Sequence, residues 1–229
     1  MYVLLEHFMH GVVKPTMKVI FRPQVEGREI VPMTGPVIIA SNHLSFFDSM
    51  VIPMALPRRV SFLAKAEYFE GTGIKGAVDR AFFGAIGNVP VPRDAQRGAM
   101  AALEAALGVL QRDGAFGIYP EGTRTRDGRL YRARAGVAWL ALQARCPVVP
   151  VGVTGTDKIQ PVGSNVPKPV VRPVVKFGEP LDFSRYYERK DVGKVRREIA
   201  DEITEAVQKL SGQDYAGVYN ETATESTAV

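Results

Sequence analysis

Along the chain, short runs that are apolar throughout alternate with longer stretches whose apolar residues recur every three or four positions. PVIIA (36–40), RVSFLA (59–64), AFGIY (115–119), PVVPVGV (147–153) and PVVRPVVKF (169–177) predict strands. Several lack the in-and-out alternation of a half-exposed strand, which is the pattern of strands covered on both faces. Between them SFFDSMVIPMAL (45–56), DAQRGAMAALEAALGVLQRDG (94–114) and AGVAWLALQARC (135–146) predict helices, the second with Asp94 as its start signal and Gly114 as its stop. A last helix covers residues 190–210. Strand and helix in alternation predict one α/β domain, a largely parallel central sheet flanked by helices.

The same patterning divides the chain into three parts. In residues 1–24, Leu5, Phe8, Met9 and Val12 share a helical spacing, while Glu6, His7, His10 and Lys14 fall on other faces. This amphipathic helix is expected to bend or end near Pro15. It suits a membrane interface, with its apolar side among acyl chains; packing against its own domain is an equal alternative. Residues 25–210 form the α/β domain, and 211–229 hold little that could build a core, so a mobile tail is expected there.

Composition and charge change this picture in three respects. Lysine and arginine exceed aspartate and glutamate by 29 − 24 = 5, and the pI is about 9.3, so the surface should attract phosphates, acidic headgroups or nucleic acid. No apolar run reaches the ~18 residues of a spanning helix, and the secretory pattern of a basic start and small-residue cleavage site is missing, so neither export by that route nor integral insertion is expected. The single cysteine, Cys146, excludes an intrachain disulfide and reads as a buried small residue.

Two motifs carry candidate chemistry. In SNHLSFFDSM (41–50), His43 follows an apolar strand, at the kind of strand end where α/β sheets place ligand crevices. Asp48, one turn into the next helix, can take a hydrogen bond from one ring nitrogen and leave the other to accept a proton from a substrate hydroxyl. Ser45 and Asp48 equally match a capping box, and His43 a satisfied loop histidine. In YPEGTRTRDG (119–128), Glu121 and Arg124 bracket Gly122 and Thr123, whose amides and hydroxyl could approach an anion gripped by the guanidinium. Arg126, Arg129, Arg132 and Arg134 prolong the basic stretch; with only Tyr131 available to stack on a base, nucleic acid is not an expected partner. GTGIKG (71–76) fits a dinucleotide fingerprint, but KAEYFE separates it from its strand and brings two glutamates where a pyrophosphate would lie. His7 and His10 lack a third metal ligand, and neither a G-x-S-x-G turn nor a P-loop occurs.

His43-x4-Asp48 followed by Pro120-Glu121-Gly122-Thr123-Arg124 resembles the glycerolipid acyltransferase family, especially the 1-acyl-glycerol-3-phosphate acyltransferases, over residues 25–180. The resemblance implies that His43 and Asp48 are catalytic and that Glu121 and Arg124 help bind the glycerophosphate. Lys65 matches a family lysine, and Arg93 the basic residue of the second motif. Pro90 and Pro92 beside Arg93 suggest an edge strand or loop, and VPVGV (149–153) ends in Val153 where the family's fourth motif ends in proline. The implied activity is acyl transfer from an acyl thioester, acyl-CoA or an acyl-carrier protein, to lysophosphatidic acid, without metal or bound cofactor, on the cytoplasmic face of the membrane. Glycerol 3-phosphate or another lysophospholipid as acceptor, a dinucleotide-binding oxidoreductase and a non-catalytic lipid-binding protein are the alternatives.

Overall fold

The computed structural model describes residues 11, 14–65, 71–73, 76, 89–91, 95–164 and 166–220. In chain order the elements are α1 (Lys14–Phe21), β1 (Gln24–Glu26), β2 (Val37–Ser41), α2 (Asp48–Ala55), β3 (Val60–Ser61), β4 (Leu63–Lys65), β5 (Val89–Val91), α3 (Ala95–Leu110), β6 (Ala115–Ile118), α4 (Gly136–Ala144), β7 (Val148–Thr154), α5 (Thr156–Ile159), β8 (Val174–Phe177) and α6 (Val192–Ser211). Six strands form one sheet in the order β1-β8-β7-β2-β6-β3. Every neighbouring pair is parallel except β7 with β8.

β2 lies between β6 and β7 and is buried along its whole length, which is why it reads as an unbroken apolar run. Val37 and Ile39 face a core with Phe47, Val51, Ile52 and Phe62; Ile38 and Ala40 face a second core with Leu140, Phe183, Ile199 and Ile203. The period of two thus feeds both faces of one strand. α6 contributes Val195, Ile199, Ile203 and Val207 to the second core, a spacing that keeps one stripe inward. It approaches β7 so closely that a Cβ on Gly152 would lie 2.5 Å from the backbone of Leu210 and Ser211. Because β2 and β6 run parallel in register, Ala40 opposite Ile118, the segments leaving them start at the same sheet edge. That edge carries both motifs.

The structure departs from the patterning in several places. The strand expected over 59–64 is split: β3 joins the main sheet, while β4 pairs with β5 in a separate two-stranded sheet. Phe62, between them, turns into the core over Gly117. In the run 169–177 only Val174–Phe177 is strand, because Pro169 and Pro173 carry no ladder donor. Pro15 lies within the described α1, and the amphipathic pattern before it, with Leu5, His7 and His10, lies outside the described residues.

The expectation of a mobile tail from 211 needs correction as far as residue 220. This segment lies along residues 128–134: Leu130 N donates to Asp214 O, Ala216 N to Leu130 O and Arg132 N to Val218 O, each at 2.8–2.9 Å. Tyr219 accepts a hydrogen bond from Arg197 at 2.8 Å and has the guanidiniums of Arg132 and Arg134 at 5.5 and 6.0 Å from its ring centre. Backbone pairing and cation–π contacts, not a buried apolar face, hold it, so a search for core residues misses it. Residues 221–229 lie outside the described part.

Gly117 gives a test of the sheet's packing. A Cβ there would lie 2.2 Å from the Phe62 ring. Gly117→Ala should therefore cost about 1–3 kcal/mol through overpacking, a fall of roughly 2–12 °C in Tm for a chain of this size, read by thermal denaturation.

Candidate active site

The chain leaves β2 at Ser41 into a turn held from three directions. Asn42 donates from Nδ2 to Val153 O at 2.8 Å and accepts at Oδ1 from Val153 N at 2.7 Å. The amide at 153 is thus in use, and a proline there could not donate it. His43 N donates to Glu121 Oε1 at 3.0 Å, and His43 O accepts from Thr125 N at 2.9 Å. Both backbone groups of the histidine are therefore gripped by the second motif. Ser45 donates from its hydroxyl to Gln160 O at 2.7 Å, tying the turn to the segment after α5.

The His43 ring sits 3.7 Å, centre to centre, above the Tyr119 ring at an interplanar angle of 6°, and Nδ1 lies 2.9 Å from Asp48 Oδ2. Since a carboxylate only accepts, Nδ1 carries the hydrogen and Nε2 is left as an acceptor. Nε2 has no hydrogen-bond partner among the described residues, and the side chain is 15% exposed. Asp48 is fully buried; its Oδ2 also accepts the amides of Leu44 and Ser45, each at 2.8 Å, while Oδ1 has no partner among the described residues. The histidine-partner reading of Asp48 is met; of the capping box only the bond from Ser45 N to Oδ2 forms, because α2 starts at Asp48 itself without a side-chain cap and Ser45 Oγ takes the amide of Phe47 instead. The carboxylate thus meets the ring in a dry setting, one oxygen fully engaged and the other unpaired among the described residues. Burial, and after it the charge of Asp48, push the Tyr119 hydroxyl well above the usual phenol range, so the platform under the ring stays neutral.

Glu121 has a different place from the one the resemblance implied. It is buried, and its two oxygens accept the amides of His43, at 3.0 Å, and Tyr131, at 2.9 Å. A carboxylate so occupied is no phosphate ligand: it ties the histidine turn to the arginine loop. Burial raises its pKa to about 7, against the lowering effect of those two amides.

The five arginines of residues 124–134 do not form one anion surface either. Arg129 pairs with Asp127 at 2.6 Å, and Arg132 and Arg134 face Tyr219. The guanidiniums of Arg124 and Arg126 have no partner among the described residues. Asn220 donates from Nδ2 to Arg124 O at 3.3 Å, and Arg134 donates to Asn220 O at 3.1 Å, so the C-terminal segment fixes the backbone of Arg124. Gly122 adopts a left-handed φ of 80° and donates its amide to Tyr119 O. With the amides of Leu44, Ser45, Gly122 and Thr125 all used internally, those of Thr123 and Arg124 remain without an acceptor among the described residues. Beside Leu44 opens a cleft of about 760 Å³, lined also by Thr125, Arg126, Asp127, Asp157 and Val162.

Lys65 is the last residue of β4, paired with Val91 in the small sheet, and Arg93 lies outside the described residues. Pro90 sits in a two-stranded sheet, where every strand is an edge. β4 ends at Lys65, six residues before Gly71, so GTGIKG does not follow its strand directly; Ile74 and Lys75 are outside the described residues. Among the described residues no cluster of three or more His, Cys, Asp or Glu is placed to hold a metal. Sequence reasoning assigned no role to Asn42, Tyr119 and Asn220, which act through geometry; the signal for Asn42 and Tyr119 was their place within the two motifs, at a strand end.

A family model for acyltransferases matches residues 22–154, more than half of the chain. The chain belongs to the acyltransferase family. It is 30% identical over 145 residues to a chloroplast 1-acyl-sn-glycerol-3-phosphate acyltransferase of Brassica napus, covering 63% of this chain and 40% of that protein. To 1-acyl-sn-glycerol-3-phosphate acyltransferase alpha of Homo sapiens it is 30% identical over 131 residues, 57% of this chain and 44% of the relative. To the 1-acyl-sn-glycerol-3-phosphate acyltransferase of Cocos nucifera it is 28% identical over 210 residues, 86% and 63%. The stretch shared with the first two is thus about two fifths of their length. The crystal structure of the acyltransferase PlsC from Thermotoga maritima shares the fold, with a TM-score of 0.63 at 22% identity over 91% of this chain and 79% of that one. His43, Asp48, Glu121 and Arg124 all fall inside the region matched by the acyltransferase model.

The Glu121 brace has a measurable pH signature. An acid whose pKa rises from 4.5 to about 7 on folding holds its proton longer in the folded state. Stability then falls as pH rises from ~4.5 through ~7 and levels off above, by on the order of 3 kcal/mol at most. Glu121→Gln cannot ionise, so thermal melts at pH 5 and pH 8 should show a smaller drop for this variant than for the wild type.

Proposed function

We propose that this acyltransferase moves a fatty acyl group from an acyl thioester to the free hydroxyl of a lysophosphatidic acid, giving phosphatidic acid. The observation that carries the reading is the His43–Asp48 pair at 2.9 Å with Nε2 turned to accept a proton; the names of the relatives point to the same acceptor. Nε2 takes the hydroxyl proton as the acceptor oxygen bonds to the thioester carbonyl carbon. The resulting oxyanion collapses, the carbon–sulfur bond breaks, and the departing thiolate takes the proton back from Nε2. Asp48 holds the ring in this tautomer throughout and stabilises its protonated form without itself taking the proton. No metal or further cofactor enters this scheme; acyl-CoA or an acyl-carrier protein supplies the thioester.

Arg124, with Arg126 near it, holds the acceptor's phosphate, and the amides of Thr123 and Arg124 are the donors available to an oxyanion or a phosphate oxygen. Glycerol 3-phosphate shares the phosphate and would meet the same groups. Because substrate and product are amphiphiles, the enzyme works peripherally at an anionic membrane surface, on its cytoplasmic face, docked by the N-terminal segment. Supporting this, α1 exposes Val19 at 74% together with Ile20, and carries Lys18, with Arg22 just beyond it. Among the described residues no helix is long and apolar enough to cross a membrane.

Losing a general base costs ~10²–10⁴-fold in turnover, so His43→Ala should lose that much kcat while melting close to the wild type. A variant retaining wild-type transfer from a labelled acyl-CoA would refute the assignment. Losing one charged hydrogen bond costs about 1.5–3 kcal/mol, so Arg124→Ala should raise the KM for lysophosphatidic acid roughly ten- to a hundred-fold and leave the donor KM near its wild-type value. Mass analysis of products from a panel of acceptors, glycerol 3-phosphate included, separates the acceptor readings.

A further inference from the structure

The segment between α5 and β8 has an arrangement that neither the sheet nor the dyad requires. From Lys158 to Gly178 the chain contains no aspartate or glutamate, but it does contain Lys158, Lys168, Arg172 and Lys176. Lys176 is paired with Glu26 at 3.4 Å. Val166 and Val170 are 64% and 62% exposed, which is far out for valines, whereas Val171, next in sequence, packs against the core. Two valines, Val166 and Val170, and two cations, Lys168 and Arg172, are thus exposed along this short ridge of chain.

This ridge is anchored at both ends. At its start, Gln160 O accepts the Ser45 hydroxyl at 2.7 Å, and Lys168 N reaches back to Ile159 O at 2.8 Å. At its end, Gln24 N donates to Pro173 O at 2.9 Å, which sets Arg172 beside the residues that follow α1. Ser164 donates to Val166 O at 3.1 Å, and Pro161, Pro167, Pro169 and Pro173 limit the backbone. Val162, within the same segment, lines the cleft next to Leu44.

We propose that residues 166–172 are a second membrane contact, with Val166 and Val170 entering the interface of an anionic bilayer and Lys168 and Arg172 meeting its headgroups. The inference rests on the peripheral-membrane reading above and adds to it a site separate from the N-terminal segment. Charge selects the occupant: a surface with exposed valines, cations and no acid over this span is complementary to acidic lipid rather than to a basic or neutral partner. The consequence is orientation. With α1 and the 166–172 ridge both on the bilayer, the loop that borders the cleft is pinned to the surface from which an amphiphilic acceptor arrives. A single amphipathic helix would leave the domain free to tilt.

The test uses the full chain and vesicles of phosphatidylcholine with or without phosphatidylglycerol. Wild type should sediment with the anionic vesicles and less so at raised salt. Each basic residue near an anionic surface is worth roughly five-fold in partition, so Lys168→Glu with Arg172→Glu should lower binding by at least ten-fold, and Val166→Asp with Val170→Asp similarly. Both double variants should keep the wild-type Tm and the wild-type rate on a short-chain acceptor dispersed below its micelle concentration. As a direct readout, a Val170→Cys variant carrying an environment-sensitive dye should shift its emission to the blue on adding anionic vesicles; Cys146 is buried and does not compete for the label. Wild-type binding that both double variants retain, with no dye shift, overturns this contact while leaving the N-terminal docking intact. A wild type that ignores anionic vesicles overturns the membrane reading as a whole, and this contact with it.

Discussion

One buried oxygen organises the site. Asp48 Oδ2 receives the imidazole and two consecutive backbone amides, each at 2.8–2.9 Å, in a place sealed from water. The amides belong to the residues immediately after His43, so the carboxylate that orients the ring also folds the turn that presents it. Removing the charge would therefore disturb both the tautomer and the path of the chain. The turn so held leads directly into α2, so the orientation of the ring and the entry to the helix are set by one local structure.

Around that oxygen, each further support comes from a different strand of the sheet. β2 delivers the histidine, β6 delivers Tyr119 and Glu121, and the far part of β7 is locked to Asn42. Parallel pairing makes this possible, since it brings the C-terminal ends of β2, β6 and β7 to one edge. Glu121 then joins the histidine turn to the arginine loop through two amides. The histidine pair and the arginine loop are thus fixed relative to each other by one buried side chain that bridges two backbone amides, and by the backbone bond from Thr125 N to His43 O.

Much of this was legible in the sequence, for physical reasons. The central strands read clearly because both their faces are buried, and the dyad read clearly because both partners lie within one turn. Glu121 was legible as important but not in its role: its spacing beside Arg124 suggests a ligand, and only the fold shows that its oxygens are spent on amides 78 and 10 residues away in sequence. The run of arginines misled for a related reason. Charge density along a chain does not reveal which guanidiniums face tyrosine or aspartate, and three of the five do. The split at Phe62 and the docking of residues 214–220 depend on contacts between segments far apart in the chain, for which local periodicity has no signature.

The Asn220 side chain on the carbonyl of Arg124 has a practical corollary. Cutting the chain back through residues 214–220 would remove this bond together with the backbone pairing along Leu130 and Arg132, and so free the loop that carries Arg124. A truncation there would reach the candidate site without touching a residue of either motif.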